Sequence, residues 1–312
     1  MKNKKKNVPL TGIIPPMITP LLDRDKLDVA GLEQLVERML GGGVSGLFVL
    51  GTTGEGPSLS YRLRRELVER VCRQVNRRVP VLVGITDTAF IESVNVARHA
   101  ADAGAGAVVA APPYYLPEAQ PELREYLDHL VPELPLPLYL YNMPALTKVS
   151  YELEIVRRAM DLPRVVGLKD SSGKLDYFKR VAGLLPHRPD WSLLMGPEEM
   201  LLASLAAGGH GGVNGGANLF PKLYVTLCEA YRAGDLPRAQ SLQKQIQRVS
   251  DSLYRIGKHS SSIIKGIKCA LSCLGVCDDF MAEPFHRFRA EERKLVEGRL
   301  KQIEAELSKL NL

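Results

Sequence analysis

Eight short, nearly continuous apolar runs alternate with amphipathic stretches over the first three-quarters of this 312-residue chain. The runs fall at 12–18, 46–50, 79–84, 107–111, 136–141, 164–168, 192–195 and 211–214. Apolar runs without polar alternation suit strands buried on both faces, as in parallel sheets. Between them the period is helical. Leu32, Leu35, Val36, Met39 and Leu40 share one face of 29–40, and Leu63, Leu67, Val68, Val71 and Val75 share one face of 61–75. Similar stretches cover 89–103, 121–130, 151–160, 174–185, 198–207 and 221–233, punctuated by glycine and proline.

Eight strand–helix units in about 230 residues predict an α/β fold, a (β/α)8 TIM barrel, whose usual size is ~250 residues. A doubly wound open sheet would show fewer strands, and often a glycine-rich phosphate turn directly after the first. Here the first run meets Pro15, Pro16 and Pro20 instead. Beyond 234 the pattern is helical only, at roughly 236–257, 260–275 and 286–310. The expected organisation is a basic, disordered tail over 1–10, a catalytic barrel over 11–234 and a C-terminal three-helix extension over 235–312.

Composition narrows the function classes. Hydrophobic residues at 45 % and charged residues at 24 % exclude disorder as the main state. No apolar run approaches the ~20 residues of a membrane helix. No apolar segment follows the first lysines, so a secretory signal is not expected. The formal charge is +6, and setting aside Lys2, Lys4, Lys5 and Lys6 leaves +2. That near-balance argues against a nucleic-acid partner. The five cysteines are Cys72, Cys228, Cys269, Cys273 and Cys277. Their odd, scattered count suits neither a disulfide framework nor a zinc site, and points to reduced thiols in the cytoplasm. The last three, at i, i+4 and i+8, would line one face of a helix. No histidine has metal-ligand spacing, and no metal is expected.

In such a barrel, catalytic groups come from the C-terminal ends of the strands and the loops that follow. Lys169 ends the run Val165, Val166, Gly167, Leu168, so its stem leaves an apolar strand. Desolvation disfavours the ammonium and lowers a lysine pKa. A neutral amine can then attack a ketone and form a Schiff base. The bland alternative is an ion pair with Asp170 at the strand end. Tyr141 ends the preceding strand and can relay protons, or can be a core tyrosine with a satisfied hydroxyl. Thr52 and Thr53, in the glycine-flanked turn Gly51-Thr52-Thr53-Gly54-Glu55-Gly56 after strand two, offer hydroxyls and backbone N–H groups suited to a carboxylate. An ordinary capped turn is the alternative there.

Around strand eight cluster Gly208, Gly209, Gly211, Gly212, Gly215 and Gly216, with His210 among them. The cluster allows either a phosphate loop at the barrel mouth or close helix–strand packing, and packing is the favoured reading. Glu198 and Glu199, after strand seven, can hydrogen-bond substrate hydroxyls or, the preferred reading, favour a helix N-terminus.

Taken together, Gly51-Thr52-Thr53-Gly54-Glu55, the strand end Tyr141-Asn142-Met143-Pro144 and Gly167-Leu168-Lys169-Asp170-Ser171-Ser172-Gly173 are specific. Over nearly its whole length from Thr11, the chain resembles the dihydrodipicolinate synthase / N-acetylneuraminate lyase family of class I Schiff-base aldolases. The resemblance implies a lyase that takes a 2-keto acid, usually pyruvate, as covalent donor and an aldehyde as acceptor. It needs no cofactor, because the imine is the electron sink. Lys169 falls on the Schiff-base lysine and Tyr141 on the proton-relay tyrosine. Thr52 and Thr53 fall on the pair that holds the pyruvate carboxylate and continues the relay. Gly196 and Val213 fall on positions lining the pyruvate pocket. Tyr115 falls on the tyrosine that synthases insert from a neighbouring subunit of a tight dimer, and the family usually forms homotetramers built as dimers of dimers.

There are departures. Synthases of lysine biosynthesis carry an arginine two residues after Tyr-Asn-X-Pro, for the carboxylate of aspartate semialdehyde; here that residue is Leu146, with Lys148 two further on. A leucine makes no charge-assisted contact. Asp170-Ser171-Ser172 replaces the glutamate and alanine typical of synthases, and Thr52-Thr53 replaces the Ser-Thr of the sialic acid lyases. The resemblance therefore implies an aldolase or lyase whose acceptor is hydroxylated or neutral. The alternatives are 4-hydroxy-tetrahydrodipicolinate synthase with a relocated carboxylate contact, a non-catalytic keto-acid-binding barrel, and, least favoured, nucleic-acid binding through the tail.

Overall fold

The computed structural model describes residues 9–310; the four tail lysines lie outside them. Eight parallel strands form the barrel: β1 (Gly12–Ile13), β2 (Leu47–Val49), β3 (Val81–Gly84), β4 (Ala107–Ala110), β5 (Leu138–Asn142), β6 (Val165–Asp170), β7 (Ser192–Met195) and β8 (Gly211–Gly212). From β2 to β8 each strand bonds to the next in sequence, and β8 bonds to β1. A single parallel bridge, Pro16 to Phe48, closes the ring, with Met17 N donating to Phe48 O at 2.8 Å and Phe48 N to Pro15 O at 3.0 Å.

The first apolar run is only partly a strand. Pro15 and Pro16 lack the N–H a ladder needs, so pairing survives as two residues and one bridge. A small antiparallel hairpin, Leu21–Asp23 with Lys26–Leu27, follows and was not anticipated.

The helices are α1 (Val29–Gly41), α2 (Tyr61–Val75), α3 (Phe90–Asp102), α4 (Gln120–Glu133), α5 (Pro144–Thr147), α6 (Leu153–Met160), α7 (Leu175–Ala182), α8 (Leu201–Ala206), α9 (Pro221–Arg232), α10 (Leu236–Leu253), α11 (Ser262–Cys273) and α12 (Ala290–Ser308). Their apolar stripes face the strands: Leu32, Leu35, Val36 and Met39 of α1 are buried, as are Leu63, Leu67, Val68, Val71 and Val75 of α2. Asp28 and Ser60 cap these two helices, each accepting from an N–H in the first turn. The one-turn α5 was not expected. The C-terminal extension is three helices, with α10 packed on α8, α9 and α12. All three are shorter than the periodicity predicts. Helix α11 stops before Gly275, whose φ is +70°, so Cys277 lies beyond the helix that carries Cys269 and Cys273.

The core has two layers. The larger fills the space between strands and helices. The smaller is the barrel interior, where Ile14, Phe48, Leu82, Val109, Tyr139, Tyr141, Leu194 and Val213 converge from seven strands or their continuations. Side chains alternate along a strand, so β6 offers Gly167 and Lys169 to this interior. A Cβ on Gly167 would come within 2.6 Å of the Tyr139 ring, so the glycine makes room for that ring.

Candidate active site

Lys169 occupies the last inward position of β6 and is 5 % exposed. Its Nζ lies 4.1 Å from the centroid of the Tyr141 ring and 5.0 Å from that of Phe48. The two rings meet edge to face at 88°, with centroids 6.5 Å apart. Burial pushes the lysine's pKa down, against a smaller opposing effect of Tyr141.

The ion pair with Asp170 does not form. Successive strand residues point to opposite faces, and Asp170 turns outward. There its carboxylate accepts from Asn142 Nδ2 at 2.8 Å, Ser172 N at 3.1 Å and Ser172 Oγ at 3.0 Å. Burial raises the Asp170 pKa, while these hydrogen bonds oppose the shift. Lys169 is thus a buried amine among rings, with no ion pair among the described residues.

Tyr141 pairs in register with Lys169 across β5 and β6. Its hydroxyl lies 3.2 Å from Thr52 Oγ1. The turn that carries Thr52 and the half-buried Thr53 is built tightly. Leu50 and Glu55 adopt left-handed φ of 59° and 54°. Gly56 and Gly84 both press on the Leu50 carbonyl, where any Cβ would collide. From beneath, Glu55 is fixed to the C-terminal extension: it forms a buried ion pair with Lys268 of α11, and its Oε1 accepts from Ala282 N at 2.8 Å. Lys268 Nζ also donates to Phe280 O at 2.7 Å.

Val213 packs in the interior layer with Tyr141 and Leu194. Gly196 follows β7, and its N donates to Asp170 O at 2.8 Å; a Cβ there would collide with Ser171. Beside Tyr141 and Thr52 opens a cavity of about 260 Å³, which Tyr114 and Leu146 also line. Tyr115 is elsewhere: it is 79 % exposed, over a separate surface cleft with Phe90 and Leu116.

Near strands seven and eight the two disfavoured alternatives, a phosphate loop and contacts to substrate hydroxyls, do not form. Gly208, Gly209 and His210 precede β8 and so sit at the end of the barrel away from Lys169. His210 Nδ1 accepts from Leu193 N there, at 3.0 Å. The Gly216 N–H is not free for phosphate, since it donates to Glu198 Oε2 at 2.8 Å. Glu198 offers nothing to substrate hydroxyls either. It is fully buried, and its Oε1 accepts from Tyr224 OH at 2.5 Å and Tyr254 OH at 2.9 Å. Burial pushes its carboxyl up to about 7 against these hydrogen bonds. Glu199 accepts from Ser250 Oγ.

Sequence reasoning missed Phe48, Tyr114 and the Glu55–Lys268 pair. The only signal for the pair is a lysine set between Ile267 and Leu271 on the apolar side of α11. Among the described residues no group of three metal-ligating side chains converges, and no helix is long and apolar enough to cross a membrane.

Comparison with known proteins finds similarity along nearly the whole chain. The model of the dihydrodipicolinate synthetase family matches residues 9–303. A 4-hydroxy-tetrahydrodipicolinate synthase of Methanopyrus kandleri is 32 % identical, over 94 % of this chain and 96 % of its own. A probable 2-dehydro-3-deoxy-D-pentonate aldolase of Escherichia coli is also 32 % identical, over 85 % and 88 %. Among solved structures, the dihydrodipicolinate synthase of Bacteroides thetaiotaomicron superposes with a TM-score of 0.92 at 52 % identity, covering 95 % of this chain and 99 % of its own. A prophage protein of Escherichia coli K12 from the same family, solved in complex with pyruvate, gives 0.89 at 28 % identity, over 94 % and 98 %.

Proposed function

Because this chain belongs to the dihydrodipicolinate synthetase family and is a lyase of its class I aldolase type, we propose that Lys169 forms a Schiff base with pyruvate and that the enamine so made adds to an aldehyde, or is released from one in reverse. The observation that carries this reading is the buried Lys169 amine, held against the Tyr141 and Phe48 rings without a carboxylate partner. Desolvation favours its neutral form, which is the nucleophile. The amine attacks the keto carbon, and loss of water from the carbinolamine leaves an iminium. That iminium draws electrons from the adjacent methyl, which gives up a proton. Tyr141 and Thr52, bonded at 3.2 Å, form the relay that moves protons at the carbinolamine and at the reacting carbon. Thr52 and Thr53 hold the keto-acid carboxylate through hydroxyls and backbone N–H groups. Gly196 and Val213 bound the donor. The pyruvate complex of the prophage relative supports pyruvate as that donor.

We assign the active form to a cytoplasmic homotetramer, a dimer of dimers, in which Tyr115 meets a neighbouring subunit. Supporting this are free, mostly buried thiols and the exposed Phe90, Ile91, Tyr115 and Leu116. The names of the Methanopyrus and Bacteroides relatives favour a second reading, 4-hydroxy-tetrahydrodipicolinate synthase. Leu146 weighs against it, because it stands where such synthases bind a carboxylate with arginine.

Borohydride reduction with pyruvate, read by peptide mass spectrometry, tests the chemistry. A pyruvyl-sized adduct on Lys169 is expected, absent in Lys169→Ala. No adduct across a panel of 2-keto acids would overturn the assignment.

A further inference from the structure

The Thr52–Thr53 turn, the seat of the keto-acid carboxylate in the reading above, does not hold its own shape. It is entered at Leu50 and left at Glu55 in left-handed φ, which a residue with a side chain keeps only where its surroundings hold it. Across the turn Glu55 N donates to Thr52 O at 3.0 Å and Gly56 N to Gly51 O at 3.2 Å. No backbone carbonyl among the described residues takes the N–H groups of Thr52, Thr53 or Gly54, which leaves them for an anion.

Two anchors fix this arrangement. Thr19 Oγ1 donates to Gly54 O at 2.7 Å. The other anchor is the Glu55 side chain, which leaves the barrel for the C-terminal extension, where it pairs with Lys268 and accepts from Ala282 N. Its partners are themselves tied down. Lys268 Nζ donates to Phe280 O at 2.7 Å, and Phe280 N donates to Asp278 Oδ1 at 2.8 Å. Asp278 N donates at 2.9 Å to Asp28, the cap of α1. Glycine would accept the left-handed φ at position 55 without strain. The backbone conformation alone therefore calls for no carboxylate, whereas the tie to Lys268 does.

We propose that Glu55 and Lys268 are positioning residues for the donor: through the turn between them and the site, the C-terminal extension sets the affinity for the keto-acid carboxylate without touching it. The proposal rests on the roles given above to Lys169, Thr52 and Thr53. A carboxylate held by a few directed N–H and O–H groups is sensitive to where they stand, since a misplacement of about 1 Å can cost about a hundredfold.

The test titrates the full-length chain with pyruvate under cyanoborohydride and reads the initial rate of Lys169 labelling by mass spectrometry. Circular dichroism reports folding. A variant that is only less stable, yet still about nine-tenths folded, shifts half-saturation by no more than about a tenth. A displaced turn shifts it far more. Glu55→Gly/Lys268→Met removes both buried charges, so neither is left alone inside, and glycine keeps the turn's φ. Its half-saturating pyruvate concentration is expected to rise at least about tenfold, the worth of a weakened charge-assisted contact. Glu55→Gln is the milder variant: its amide still accepts from Ala282 N, and its half-saturation should fall between wild type and the double variant. An unmoved half-saturation in either variant, once folded, overturns the positioning role alone. Absence of labelling in the wild type overturns the Lys169 reading and this proposal together.

Discussion

The buried pair of Glu55 and Lys268 joins the turn carrying Thr52 and Thr53 to the C-terminal helices, and cutting it should be costly in an asymmetric way. Lys268 is fully buried and Glu55 nearly so. In Lys268→Met the carboxylate keeps only the Ala282 N–H, and an uncompensated buried charge costs roughly 3–5 kcal/mol. That is a large part of a total stability of ~5–15 kcal/mol. Glu55→Gln leaves the lysine instead. Burial already lowers the Lys268 pKa, against the opposing pull of Glu55. Without Glu55 the amine can shed its proton, so the penalty should depend on pH. The folded state then binds fewer protons than the unfolded one between the lowered folded pKa and the ordinary lysine value of ~10.4, so stability rises with pH across that window. The double variant removes both charges and their desolvation, and should recover most of the loss, with a coupling energy of about 2–3 kcal/mol. Urea unfolding by circular dichroism at pH 7 and pH 9, at fixed protein concentration, reads all three. Additive single-variant effects, or a Glu55→Gln penalty that grows at pH 9, would refute the account.

Tyr141→Phe removes the hydroxyl bonded to Thr52 and should lower kcat by about 10²- to 10⁴-fold, while single-turnover trapping still labels Lys169; full steady-state activity would remove the tyrosine from the relay. Glu198, raised to about 7, keeps a proton in the folded state that the unfolded chain releases near 4.3. Stability should therefore fall as pH rises from about 4.5 to 7, by on the order of 3 kcal/mol. Urea midpoints at pH 5 and pH 8 should show this fall in the wild type and not in Glu198→Gln, and an equal fall in both would place its origin elsewhere.

How legible the fold was follows from what each residue answers to. Strands buried on both faces must be apolar throughout, so the eight runs could be read directly, and Lys169 stood out because a charge ends one of them. Strand length was harder to read, since Pro15 and Pro16 remove donors without altering hydropathy. Glu198 and Glu199 look alike in sequence as acids at a helix start. Only the chain folding back through Tyr224 and Tyr254 buries the first among hydroxyls. The adjacent Tyr114 and Tyr115 differ in nothing local, and only the resemblance singles out Tyr115; in the fold Tyr114 lines the cavity beside Tyr141 and Tyr115 faces outward. Long-range partners such as Glu55 and Lys268 leave almost no local mark.

The geometry of Lys169 and Tyr141 depends on residues that face away from them. Tyr141 pairs with Lys169, and Asn142 with Asp170, in one register of β5 against β6. A slip of one residue would turn every side chain of a strand to the other face, carrying the lysine out of the barrel. The outward pair resists that slip. Asn142 Nδ2 donates to Asp170 at 2.8 Å, and Asn142 Oδ1 accepts from Tyr151 N at 3.2 Å. On the same side Ser171 N donates to Asn142 O at 2.8 Å, and Ser172 closes on the Asp170 carboxylate. All of these groups are buried or nearly so, and a buried polar group left unbonded costs about 1–3 kcal/mol. A displaced register would break several of them at once. Asp170 thus serves the lysine beside it without touching it: it satisfies the outer face of the strand end and leaves the inner face a single amine, desolvated and aimed at the relay tyrosine.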